Sequence, residues 1–186
     1  MAHRIILFRG MNTGGVRAPV AELRAMAETM GLRNPRTLAA SGNLVVESGK
    51  ATDALEADIE AAMEKTFGLK VAAMVRTPDQ WEKLIAANPF QTQARDHPAK
   101  VIAMVMKDGI KAGGLEACRE LAGEGERVEA AQLKDGGDVL YFWFPHGQGE
   151  SGVFKKATPR MLGIGTGRNW NTVLKLGEMV GLETSA

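Results

Sequence analysis

The chain opens on a short apolar run, Ile5 to Phe8, bounded by Arg4 and Arg9 and stopped by Gly10. Such a run predicts a buried strand. The polar, glycine-bearing stretch 11–17 follows, and Pro19 suits a first helical position because its missing N–H needs no partner there. Val20, Leu23, Ala27 and Met30 then line one helical face, and Gly31 ends the helix. Residues 37–40 and 43–46 flank Ser41-Gly42, which predicts either two short strands about a tight turn or one bulged strand. In the next helix Asp53 and Glu56 stand at capping-box spacing, and Leu55, Ile59, Met63 and Phe67 share a face before Gly68. Residues 71–75 supply a further strand. Thr77-Pro78 caps a last helix whose Trp81, Leu84 and Ile85 face inward.

This order is β-α-β-β-α-β plus one helix, the ferredoxin-like split βαβ pattern, over residues 1–90. Residues 91–98 are polar and end in Pro98, so they are expected to link two lobes. A similar order recurs over 99–186. Residues 101–106 form an apolar strand, and Leu115, Cys118, Leu121 and Ala122 mark a helix. Strands over 128–133 and 139–144 flank a Gly-rich turn. A helical piece over 152–162 must kink or restart at Pro159. The fourth strand is expected only as a stub around 164–167, before a final helix over 171–180. The fold class expected is therefore α+β, with two ferredoxin-like α–β plait lobes in tandem, each with an added C-terminal helix and the second less regular.

Composition narrows the function classes more than it names one. Hydrophobic residues make up 45% and charged residues 24% of the 186, which suits a globular protein with a real core. A formal net charge of +1 offers no global field for steering a polyanion. One cysteine, Cys118, allows neither an intramolecular disulfide nor a cysteine metal cluster. The opening apolar run is shorter than the about 7–15 residues of a secretory core. No run approaches the about 20 that span a bilayer. A cytoplasmic setting away from membranes is expected by elimination.

Three polar constellations remain once turns and cores are assigned. Arg9-Gly10-Met11-Asn12-Thr13-Gly14-Gly15 lies between a strand and a helix, where Gly-rich backbone can present N–H groups to an anion. It lacks the ending of a P-loop and the glycine spacing of a dinucleotide fingerprint, and a loop needing positive φ at Gly14 and Gly15 explains the glycines more readily. Ser41-Gly42-Asn43 has the composition of a tight turn. Gly165-Thr166-Gly167-Arg168-Asn169-Trp170-Asn171 opens the final helix, with Asn169 or Asn171 as its N-cap. Between Phe154 and Leu176 the chain carries Lys155, Lys156, Arg160, Arg168 and Lys175 and no acidic residue.

Tyr141-Phe142-Trp143-Phe144 on one strand sends Tyr141 and Trp143 to one face and Phe142 and Phe144 to the other. Exposed sheet aromatics stack bases in RNA-recognition folds of this topology, but that module's sequence signature is absent. Helix packing over the sheet explains the aromatics more simply. His3, His97 and His146 lack metal-ligand spacing, and Cys118 lies on an apolar helix face.

Taken together, these stretches resemble the bacterial proteins grouped as domain of unknown function 1697. The matching residues are Leu7-Phe8-Arg9-Gly10-Met11-Asn12-Thr13-Gly14-Gly15, then Ser41-Gly42-Asn43-Leu44-Val45, Ala87-Asn88-Pro89-Phe90, and Arg168-Asn169-Trp170-Asn171-Thr172-Val173. The resemblance implies two α–β plait lobes and brings no activity, substrate or cofactor. Two departures stand out: Ser151-Gly152 where the family commonly has Ser-Lys, and Thr166-Gly167 where it tends to have Thr-Thr.

The expected function is binding of a small anionic, nucleotide-like ligand in an inter-lobe cleft lined by Arg9, Asn12, Ser41, Asn43, Arg168 and Asn169. Two guanidinium groups and Gly-rich backbone suit such a ligand. The alternatives are single-stranded nucleic-acid binding through Tyr141 or Trp143 with the basic segment 155–175, and a protein-interaction module without ligand. No catalytic residue, metal or cofactor is indicated, and the sequence does not decide whether the chain is an enzyme.

Overall fold

Residues 2–11, 18–38, 42–134 and 137–184 are described by the computed structural model. The first six elements are β1 (Ala2–Phe8), α1 (Val20–Thr29), β2 (Arg33–Thr37), β3 (Asn43–Ser48), α2 (Thr52–Phe67) and β4 (Ala73–Arg76). The strands form one antiparallel sheet in the order β2-β3-β1-β4. One face carries Ile6, Phe8, Leu44, Val46, Ala73 and Val75, packed with Leu23 and Ala27 of α1 and Leu55, Ile59 and Met63 of α2. Ile5, Leu7, Val45 and Met74 alternate with them and are just as buried. Burial on both faces is why these strands read as continuous apolar runs.

Two features of this sheet depart from the sequence expectation. Strand β2 begins at Arg33, before the expected 37–40 (39–41 lie outside the described residues). It holds Pro35, tolerated because β2 is an edge strand, and its register shifts between Arg33 and Arg36, where Asn34 has φ 48°. The capping box also fails: Ala51 stands at the N-cap of α2 with no side-chain cap. Glu56 turns to the other edge strand instead, accepting the Val75 N–H at 2.9 Å, and Glu60 accepts the Ala73 N–H at 3.0 Å. These are the outward N–H groups of β4, so two helix carboxylates close an open sheet edge.

The second set runs α3 (Pro78–Ala86), α4 (Gln91–Asp96), β5 (Val101–Met106), α5 (Gly114–Leu121), β6 (Arg127–Leu133), β7 (Gly137–Trp143), α6 (Gly152–Lys156), α7 (Pro159–Leu162), β8 (Gly165–Asn169) and α8 (Trp170–Met179). Its antiparallel sheet has the order β6-β7-β5-β8, the same ferredoxin-like order as the first. Ile102, Met106, Leu140, Phe142 and Phe144 pack with Cys118, Val153 and Leu162 on one face. Pro159 starts α7 afresh. The fourth strand is complete, with β8 pairing to β5 from Ile102↔Asn169 to Met106↔Gly165. Glycines are needed in it and just before it: a Cβ at Gly165 would lie 2.6 Å from Met106 Sδ, and one at Gly163, which follows α7 with φ 96°, 2.9 Å from the Gly109 carbonyl.

By its contacts the chain divides into Met1–Asp79 with Leu176–Leu182, and Gln80–Lys175 with Glu183–Ala186. The break falls earlier than the polar segment 91–98, which forms α4 and runs into a 3-10 turn over Pro98–Lys100. The reason is α3. Its Trp81 indole N–H donates to the Val173 carbonyl at 2.9 Å, and the Tyr141 hydroxyl donates to the Leu84 carbonyl at 2.6 Å. Within the first unit, Arg36 donates to the Met179 carbonyl at 2.6 Å.

Closure of the β4 edge is testable. Glu56→Ala leaves a partly buried N–H without its acceptor, and the half of Arg76 that faces it loses a carboxylate 3.5 Å away. We expect a loss of about 1–3 kcal/mol in urea unfolding, with a similar loss for Glu60→Ala. Wild-type midpoints in both variants would refute the edge role.

Candidate functional site

In the first unit the chain leaves β1 at Arg9 and enters β3 at Asn43 at the same end of the sheet, since Leu7 pairs with Asn43 and the Phe8 N–H donates to the Gly42 carbonyl at 2.9 Å. The Arg9 N–H donates to the Ala72 carbonyl at 3.0 Å, while its residue as a whole is exposed. Gly10 and Gly42 both take positive φ, 74° and 86°. Asn43 is buried, and its Nδ2 donates to the Leu38 carbonyl at 3.2 Å while its own carbonyl accepts the Leu38 N–H. It therefore closes the loop before β3. Asn12 and Ser41 lie outside the described residues.

Arg168 and Asn169 belong to the second unit, at the end of edge strand β8. Arg168 has a local structural role besides its expected place in a ligand cleft. Its Nη1 donates to Thr166 Oγ1 at 2.6 Å and to the Gly167 carbonyl at 2.9 Å. Burial pushes its pKa down to about 10. Asn169 Oδ1 accepts the Thr172 N–H at 3.1 Å and so caps α8, as one of the two sequence alternatives required. The described members of the expected set thus fall two and two into separate units, and two of the four are occupied in closing a loop or capping a helix.

The aromatic strand divides as its alternation requires. Phe142 and Phe144 stack at 5.3 Å within the helix-covered core, while Tyr141 is fully buried on the other face under α3. An enclosed ring presents no platform for a base. Trp143 is half-buried, its ring 6.1 Å from that of His97. Burial raises the Cys118 thiol to about 11, which makes it inert core. Among the described residues no group of three His, Cys, Asp or Glu side chains could hold a metal ion, and no helix is long and apolar enough to cross a membrane.

One feature escaped the sequence: a cleft of about 510 Å³ in the second unit between the loop after β5 and the stretch from α7 into β8. Of its lining residues, Arg160 belongs to the basic segment and Pro159 to the helix restart, and neither marks a cleft by itself. The signal lay in Gly109 and Gly163, whose positive φ and backbone contact bring the two segments together.

The family model described as Protein of unknown function (DUF1697) matches residues 1–134, and the chain belongs to that family. No curated protein matches it. Among solved structures the chain is similar to the conserved bacterial protein SP0830 from Streptococcus pneumoniae, with a TM-score of 0.76 and 20% identity over 96% of this chain and 98% of that one. The likeness is one of fold, and it extends past residue 134, where the family match ends, into the rest of the second unit.

The enclosure of Tyr141 predicts its titration. Burial raises the phenol above its ordinary pKa of about 10. A group whose folded pKa is raised contributes stability that is present below about pH 10 and is lost as pH climbs above it. The chain has a single tyrosine, so absorbance at the phenolate band reports Tyr141 alone. Ionisation is expected only above the ordinary range, together with loss of native circular dichroism. A phenolate forming near the ordinary pKa in folded protein would contradict the burial.

Proposed function

We propose, from the premise of membership in a family of unknown function, that the chain binds a small anionic ligand at the β1/β3 end of its first sheet. The observation that carries this reading is the exposed Arg9 at the end of a strand whose preceding four residues, Ile5 to Phe8, are almost wholly buried. A rigid strand end holds the start of that side chain in place. A guanidinium offers a planar fork of donors that fits a carboxylate or phosphate in two parallel bonds. Gly10 and Gly42 beside it lack a Cβ, and both hold positive φ, so backbone there can approach a ligand closely. A phosphate on a nucleotide-like molecule meets these requirements. The proposal is confined to the first unit: Arg168 is turned back onto Thr166 and Gly167. A cytoplasmic setting suits a chain whose one thiol is buried in the core.

The test starts with native mass spectrometry of freshly purified protein, followed by calorimetric titration with AMP and inorganic phosphate. Arg9→Ala should weaken AMP binding about tenfold or more, the scale of one charge-assisted pair, and Arg9→Lys should restore part of it. Equal affinity in wild type and Arg9→Ala, or no binding of either probe by wild type, would sink the reading.

A further inference from the structure

The cleft in the second unit is built by two segments some fifty residues apart in sequence. The Lys107 N–H donates to the Ile164 carbonyl at 2.8 Å and the Lys111 N–H to the Leu162 carbonyl at 2.9 Å. Asp138 Oδ2 accepts the Ile110 N–H at 2.8 Å from below the same loop, and Lys111 Nζ reaches the Arg160 carbonyl at 3.3 Å. Gly163 lets the two backbones touch, since a Cβ there would stand 2.9 Å from the Gly109 carbonyl. These contacts fix both walls without any ligand, and a preformed cleft loses less entropy on binding than one that must be ordered.

Its chemistry is two-sided. Ile110, Pro159 and Ile164 supply apolar wall, and Ile164 is left 41% exposed, one of two large hydrophobic side chains so exposed among the described residues. Lys111 and Arg160, both exposed, bring two cations against the single lining carboxylate of Asp108. Asp138, just beneath, is committed to the Ile110 N–H. The volume of about 510 Å³ suits a small molecule and lies within the range of ordinary ligand sites.

We propose that this cleft binds a small organic carboxylate with a compact apolar body, the body against Ile110, Pro159 and Ile164 and the carboxylate on Lys111 and Arg160. One excess positive charge matches a monoanion and undercompensates a phosphate dianion. The apolar walls give an uncharged polar solute nothing to exchange for its water. The site is independent of Arg9, so either proposal can fail without the other.

The experiment is a titration of the full, 15N-labelled chain with benzoate and hexanoate, using benzamide as the body without the charge and inorganic phosphate as the charge without the body. The carboxylates should produce saturable shifts centred on Ile110, Lys111, Arg160 and Ile164. Benzamide and phosphate should each bind at least about fivefold more weakly. The double variant Lys111→Ala/Arg160→Ala should lose about tenfold in benzoate affinity with its remaining spectrum unchanged, whereas Lys156→Ala, outside the lining, should bind as wild type. Ile164→Ser tests the wall with both cations in place and should also weaken benzoate. The proposal is overturned if neither carboxylate gives saturable shifts, if the shifts centre elsewhere, if benzamide or phosphate binds as tightly as benzoate, or if the cleft variants bind like wild type.

Discussion

Burial of both faces of each four-stranded sheet is the constraint on which the rest of this structure depends. A β-α-β-β-α-β unit brings helices to one face only, and an antiparallel sheet can leave the other in water. Here it does not: Ile5, Leu7, Val45 and Met74 in one sheet, and Val101, Ala103, Val105, Val139 and Tyr141 in the other, lie outside the helix-facing clusters and are still fully buried. In the second unit α3 answers this demand, and the two polar groups it takes into the interior are each satisfied by a main-chain carbonyl. Burying an unpaired indole N–H or phenol would cost about 1–3 kcal/mol, so these bonds are conditions of the packing.

The same constraint explains what could be read from the sequence and what could not. Uninterrupted runs such as Ile5 to Phe8 and 101–106 announce buried strands, and their order relative to the helices yields the ferredoxin-like topology. Periodicity also shows that Trp81 and Leu84 face a core. It does not show which core, because a helix stripe carries no record of its tertiary partner; contact places α3 from Gln80 onward with the sheet that follows it. Strand β8 looked like a stub because Gly165 and Gly167 carry no side chains. Those glycines leave space that Met106 and Ile102 fill from the neighbouring strand. The polar segment after Phe90 folds into α4 with local help: Asn88 Oδ1 accepts the Phe90 N–H and the Asn88 carbonyl accepts from the Gln91 side chain, both at 2.9 Å.

Glu56 shows how a local signal gives way to a tertiary one. Its spacing from Asp53 fits a capping box, yet a helix N-terminus faces water, which can satisfy its N–H groups, whereas the outer N–H groups of β4 have less choice. The carboxylate goes where its absence would be felt most. Asn43 and Asn169 teach the converse about sites. Each has a residue type that serves equally in a turn, a cap or a ligand contact, and the structure engages Asn43 in the loop and Asn169 in the cap. Apart from Gly109 and Gly163, the residues of the cleft lining are ordinary singly; the approach of 108–111 to 159–164 makes them a site.

The two units use one topological position differently. In each, the chain leaves the first strand of the sheet beside the point where its hydrogen-bonded neighbour begins: β1 beside β3, and β5 beside β7. A polar residue at the start of that neighbour then bonds to backbone beyond its own strand, Asn43 to Leu38 in the first unit and Asp138 to Ile110 in the second. The first unit offers at this place a strand end carrying Arg9 between glycines. The second clamps its loop against the α7–β8 stretch and encloses a cleft with apolar walls and a cationic rim. A sheet with both faces buried has little room for a ligand on either face, so the open strand ends are where recognition can be built without disturbing the core. Repetition of the fold supplies that place twice, and the side chains set there make the two chemically distinct.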